Sequence, residues 1–182
     1  MIRTGLWILG GLVLGGIIHL VVILLLPMLS ANAAWDRVAA LGPAEGMQVL
    51  AAVSTDKPNP LRLDPELAYA VCRVDLRKGP GTVAGNLPRA FWSVAVYGRD
   101  GTVVYSTTNR DSTSTLLDLG LFNPAQTRLL AEQKLDIAEG LLIVEAQEDD
   151  LLIVVRLAPP HPAMRARYEQ ALANLKCGNL PT

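Results

Sequence analysis

The chain has 182 residues, is 51% hydrophobic and 18% charged, and carries a net charge of −1. That length suits one domain, or one domain with an appendage. The near-neutral balance, with a pI of about 6.1, argues against nucleic-acid binding, which needs a basic surface. The apolar content argues against disorder. A mean hydropathy of +0.31 is high for a soluble domain, and the N-terminal segment accounts for much of it.

Gly5 to Leu29 contains no charged residue. As a helix it would extend roughly 37 Å, against a hydrocarbon core of about 30 Å, so it is long enough to cross with some tilt. A cleaved signal peptide is the competing account, since Ser30-Ala31-Asn32-Ala33-Ala34 offers a small-x-small site. The stretch exceeds a signal h-region of about 7–15 residues, which favours a retained anchor. All 17 acidic residues follow it, and the expected topology is N-terminus inside with the main domain exported. Gly11, Gly15 and His19 recur every four residues and share one helix stripe. That stripe suits contact with a second membrane helix, with His19 as a hydrogen-bonding group, although glycine is also common in membrane helices for other reasons.

Beyond the span, Ala34 to Leu41 reads as a short amphipathic juxtamembrane helix, with Trp35 at the interface and Gly42-Pro43 as its stop. Met47 to Val53 reads as a strand, and Lys57-Pro58-Asn59-Pro60 as a turn. Leu67 to Leu76 alternates: Ala68, Ala70, Cys72, Val74 and Leu76 fall on one face, and Tyr69, Val71, Arg73 and Asp75 on the other. Phe91–Tyr97 and Thr102–Thr107 flank Gly98-Arg99-Asp100-Gly101 as a hairpin. Asn123-Pro124 opens a helix running to about Gln133, because Asn caps free amides and Pro has none to leave unpaired. Leu141–Ala146 and Leu151–Leu157 read as a second hairpin around Glu148-Asp149-Asp150, both strands covered on both faces. Pro162 to Lys176 reads as a helix burying Met164, Tyr168, Ala171, Leu172 and Leu175, with Gly178 as its stop.

The expected architecture is therefore α+β: one N-terminal transmembrane helix (1–33), a juxtamembrane helix and linker (34–46), and a single domain (47–182) with one antiparallel sheet covered by helices. Cys72 and Cys177 follow the span and share a compartment. In an oxidising periplasm they form a disulfide candidate, the alternative being two separate buried thiols. Their spacing is not that of a CxxC redox pair.

Catalytic clusters are sparse. The chain has two histidines, and one lies within the span. A zinc centre is not expected, nor is any cofactor. His161 would have to serve any Ser-His-Asp triad, and no G-x-S-x-G elbow accompanies it. Three acids at 148–150 read as a solvated turn before a cation site. The remaining candidates for ligand binding are Tyr69, Arg73, Asp75, Tyr105 and Arg110, as an anion groove or as a surface salt-bridge ladder.

Two segments, DPELAYAVCRVDLRKGP (Asp64–Pro80) and FWSVAVYGRDGTVVYSTTNRD (Phe91–Asp111), carry a resemblance. With the anchor and AWDRVAALGP (Ala34–Pro43), the chain resembles the short membrane-anchored branch of the bacterial domain-of-unknown-function family twelve fifty-four. The resemblance implies an inner-membrane protein with a periplasmic domain, and a second small membrane protein, of family twelve fourteen, as partner. Longer relatives fuse both domains and carry an Asn-x-Asp-Thr-x-Tyr segment. Here Tyr69 matches it, while Asp64-Pro65-Glu66-Leu67-Ala68 does not, so no catalytic residue carries over. The functions expected are docking on a membrane-protein partner or, alternatively, binding or hydrolysis of a small molecule or envelope polymer.

Overall fold

The computed structural model describes residues 2–40, 46–111, 115–132 and 140–180, and of these the side chains of 27–34 are left undescribed. Its first element is one continuous helix, α1 (Ile2–Ala39). Of the separate juxtamembrane helix expected at Ala34–Leu41, Ala34–Ala39 is the end of the same helix, and Leu41 lies outside the described residues. No glycine or proline stands between Met28 and Ala39, and Ala31, Ala33 and Ala34 favour continuation. The expected stop at Gly42-Pro43 lies outside the described residues. Ile2–Leu26 is long and apolar enough to cross a membrane. Its apolar side chains from Ile2 to Leu26 are exposed, so the domain does not bury them. An apolar surface of that extent requires lipid or a partner helix.

The domain has nine strands among the described residues: β1 (Gln48–Val49), β2 (Ala68–Asp75), β3 (Gly81–Asn86), β4 (Trp92–Tyr97), β5 (Val103–Thr108), β6 (Leu116–Phe122), β7 (Leu142–Glu145), β8 (Asp150–Leu157) and β9 (Lys176–Asn179). Helices α2 (Pro124–Glu132) and α3 (Arg165–Ala173) complete an α+β domain. The first sheet is antiparallel, in the order β1-β2-β8-β4-β5, and the second runs β7-β6-β3-β9. The core lies between them, joining Ala70, Cys72, Val94, Val96, Ile153 and Val155 of the first sheet to Val83, Leu117, Leu119 and Leu121 of the second. Helix α3 contacts β1 and β2 and sends Tyr168 and Leu172 into the same core.

The β2 alternation holds: Ala68, Ala70, Cys72, Val74 and Leu76 are all buried. The β4–β5 hairpin forms, with Gly101 at a φ of 81° that a side chain would resist. Helix α2 starts at Pro124, and Asn123 and Gln126 cap one another reciprocally, Gln126 N–H to Asn123 Oδ1 at 3.0 Å and Asn123 N–H to Gln126 Oε1 at 2.9 Å. Its expected end at Gln133 lies outside the described residues.

Five expectations fail. There are two sheets, not one. The second hairpin does not form, because β7 pairs in parallel with β6 while β8 pairs antiparallel with β2 and β4. The acidic turn between them is held by distant groups: Glu148 accepts from Arg99 N–H, Asp149 from Asn123 and from Leu76 N–H, and Asp150 from Arg77. It forms a corner between sheets. β7 is also only partly covered, with Leu142 and Ile143 exposed, and β8 is fully buried on its inner face but half-buried on the other at Asp150, Val154 and Arg156. The final helix stops at Ala173, and Lys176–Asn179 turns into β9, pairing with β3. Finally, the Met47–Val53 strand shrinks to two residues at the sheet edge.

Cys72 and Cys177 are joined, with Cα atoms 6.5 Å apart and 105 residues of separation. Since Cys72 lies in the first sheet and Cys177 in the second, the bond staples the two sheets rather than tying down a helix end. Gly81 marks another close approach: a Cβ there would meet Val74 Cγ1 at 2.6 Å.

Replacing both cysteines with alanine should destabilise the domain by about 2–5 kcal/mol, read as a lower urea midpoint that reductant no longer shifts. Ile153→Asp, which buries a charge in the inter-sheet core, should prevent folding. Val154, half-buried on the opposite face, should accept Asp with the domain still folded, and near-equal loss of melting temperature in the two variants would contradict the assignment of faces.

Candidate functional site

Antiparallel partners share a face, so the register sorts the candidate residues. On the outer face of the first sheet, Tyr69 aligns with Arg156 and Ser93, Val71 with Val154 and Ala95, and Arg73 with Leu152 and Tyr97. On the inner face Cys72 aligns with Ile153, Val96 and Tyr105. Tyr105 therefore packs against the core on the side opposite Tyr69 and Arg73, and the three do not line one groove. The reason is register between non-adjacent strands, with a bulge at Val96/Tyr97.

Arg110 also stands apart. It is exposed in the turn after β5, where its N–H donates to Thr108 Oγ1 and Asp111 accepts from Thr108. The row from Tyr69 to Thr108 crosses three strand spacings, about 14 Å.

The outer face carries a cleft of about 370 Å³. Tyr69, Val71, Leu152 and Val154 form its floor, with Tyr97 beside them. Trp35 and Val38 reach it from the end of α1, and Leu50, Leu61 and Leu63 from the loop between β1 and β2. Among the described residues four arginines line it, Arg37, Arg62, Arg99 and Arg156, and no acidic side chain does. Arg62 is exposed with its backbone left-handed at a φ of 52°. Asn59 fixes that loop, donating through Nδ2 to Leu63 O at 2.8 Å and accepting Leu63 N–H at 2.9 Å. The Tyr69 hydroxyl accepts from Asp64 N–H at 3.1 Å. Arg156 Nε is buried and has no hydrogen-bond partner among the described residues.

Arg73 and Asp75 lie further along β2 in a separate, more polar hollow of about 560 Å³, with Lys78, Asp150 and Asn179. Trp35 borders both hollows. Here charges are paired. Arg77 Nε and Nη2 donate to the two Asp75 oxygens at 2.7 and 3.2 Å, and Nη2 also meets Asp150 at 2.9 Å. The Arg77 side chain holds the Asp75 carboxyl below the usual carboxylate range, against the opposing pull of partial desolvation. Asp100, at the hairpin tip, is lowered by the Thr102 hydroxyl and N–H. His161 is exposed, and its Nδ1 accepts from Ala163 N–H. Among the described residues no three His, Cys, Asp or Glu side chains converge on a point that would hold a metal.

Of the five candidates, then, only Tyr69 reaches the cleft. Sequence reasoning missed Arg37, Arg62, Arg99 and Arg156. One signal was available: Arg156 is the lone charge inside the apolar run LLIVVRL.

No protein-family model and no curated protein matches the chain. Among solved structures, the VPA0106 protein from Vibrio parahaemolyticus is similar in fold, with a TM-score of 0.57 at 9% identity over 83% of this chain. A putative uncharacterised protein from Burkholderia cenocepacia matches 85% of the chain with a TM-score of 0.44 at 15% identity. The chain spans 35% of the Vibrio protein and 41% of the Burkholderia protein.

The lowered Asp75 pKa yields a pH dependence. Stability from a depressed carboxyl is fully present above its unfolded pKa and is lost as pH falls through the folded one. Asp75→Asn should lower the melting temperature by a small, constant amount from about pH 8 to about pH 5, and the difference should close below about pH 4. A difference that persisted at acid pH would mean Asp75 acts through packing.

Proposed function

We propose that the protein is a single-pass, membrane-anchored binding protein of the bacterial envelope, with its domain in the periplasm and the outer-face cleft as its binding site. The observation that carries this reading is the cleft's composition: an apolar floor, cationic walls and, among the described residues, no acidic side chain. Concave, mostly apolar sites with a few placed polar groups are the usual form of a ligand site. The compartment is supported by the Cys72–Cys177 bond, which persists in oxidising surroundings. Retention of the anchor is supported by the length of the apolar helix.

Docking on a membrane-protein partner is the second reading. It is favoured by α1, where Leu6, Trp7, Gly10, Gly11 and Leu14 outline a shallow hollow, and by the stripe of Gly11, Gly15 and His19. The family resemblance implies the same kind of partner.

A reporter fused to the C-terminus should be active in the periplasm and sediment with membranes. A soluble species beginning near Ala34 would replace the anchor with a signal peptide. Extraction in mild detergent followed by mass analysis should recover the protein with a bound small molecule. Recovery with one stoichiometric protein and an empty cleft would favour docking instead.

A further inference from the structure

We propose that the cleft holds an anionic membrane phospholipid, its phosphate among the arginines and the first part of its acyl chains on the apolar floor. This rests on the binding reading above and names the ligand class. The first support is unbalanced charge. Among the described residues only Arg99 of the four arginines has a carboxylate within ion-pair range, Asp150 at 3.9 Å. Arg37, Arg62 and Arg156 have none. Guanidinium–phosphate pairing is strong and geometrically specific, so arginines that line one space with few carboxylate partners suit a phosphate.

The second support is shape and polarity. A free inorganic anion makes no use of Leu61, Val71, Leu152 and Val154, whereas an amphiphile contacts both the apolar floor and the arginines. About 370 Å³ takes a headgroup and the adjoining acyl segments but not a whole lipid, so the chain ends remain in the bilayer.

The third support is position. Trp35, the residue type that settles at headgroup level, lines the cleft and belongs to the same helix as the apolar span. It stands between the uncharged stretch and the first charges after it, Asp36 and Arg37. At about 1.5 Å per residue, Trp35 lies roughly 9–13 Å past the end of the apolar stretch, so the cleft faces the headgroup layer. The left-handed backbone at Arg62, pinned by Asn59, is an uncommon conformation for a residue with a side chain, and such outliers gather at ligand clamps.

The test uses the full chain in mild detergent, disulfide intact, followed by native mass spectrometry with dioleoyl-phosphatidylglycerol, dioleoyl-phosphatidylcholine or inorganic phosphate. Phosphatidylglycerol should be retained about tenfold better than phosphatidylcholine, and Arg156→Gln and Arg62→Gln should each remove most of that preference. Arg62 is exposed, so its variant keeps the test valid if Arg156→Gln fails to fold. Equal retention of the two lipids, or a preference that survives both substitutions, overturns the proposal. Displacement of the lipid by an equal concentration of inorganic phosphate assigns the site to a free anion and also overturns it. A non-lipid molecule retained in the cleft overturns the lipid assignment and leaves the binding reading standing, while a cleft that retains nothing removes both.

Discussion

The pairing of β2 with β8 is the constraint on which the rest depends. Eight residue pairs, from Ala68↔Leu157 to Asp75↔Asp150, run without a break through the middle of the first sheet. On both strands the inner face is fully buried and the outer face half-buried, so each side chain has an assigned side. A slip of one residue would exchange the faces, putting Arg73 into the inter-sheet core and Cys72 under the cleft. Packing of the inner face against Val83, Leu117, Leu119 and Leu121 opposes that slip, as does the bond to Cys177. The staple and the cleft are therefore two consequences of one register, on opposite sides of the same strands.

The corner where β2 leaves the first sheet shows how the second is positioned. Leu76 is fully buried, its N–H donates to Asp149 O, and its carbonyl accepts from Gln126. Asn179 then ties the last strand to Asp75 O and Gly79 O. Side chains from α2 and β9, with a backbone carbonyl of the acidic turn, thus satisfy backbone groups that a sheet-to-sheet crossing leaves without ladder partners. Gly79, at a φ of 129°, and Gly81, pressed against Val74, make the crossing sterically possible.

Local features were legible in the sequence, and non-local ones were not. The alternation of β2, the Gly98–Gly101 turn and the Asn123 cap each lie within about ten residues, and each appears where the pattern put it. The strand β3 (GTVAGN) looks like a turn because its two glycines serve close approach. The strand β9 (KCGN) has almost no apolar content and exists because β3 offers an edge. Tyr69 and Tyr105 were expected to share a groove, yet their faces depend on register carried through β8 and β4, which no local pattern encodes. The cysteine pair was legible because two cysteines leave one intramolecular pairing, although the elements they join were not.

Net charge proved a poor guide to the field inside the molecule. A value of −1 suggests an electrostatically bland protein. The charges are instead sorted in space. Around the acidic turn, Asp75, Asp150 and Glu148 are engaged by Arg77, by the Arg99 guanidinium and by the Arg99 N–H. On the other side of Trp35, Arg37, Arg62 and Arg156 line one space in which, among the described residues, no carboxylate stands. Low-dielectric walls and nearby like charges focus a field that a chain-wide sum cancels. A near-neutral chain is thus compatible with a cationic cleft, because of its four arginines only Arg99, at the edge nearest the acidic turn, has a carboxylate within ion-pair range among the described residues.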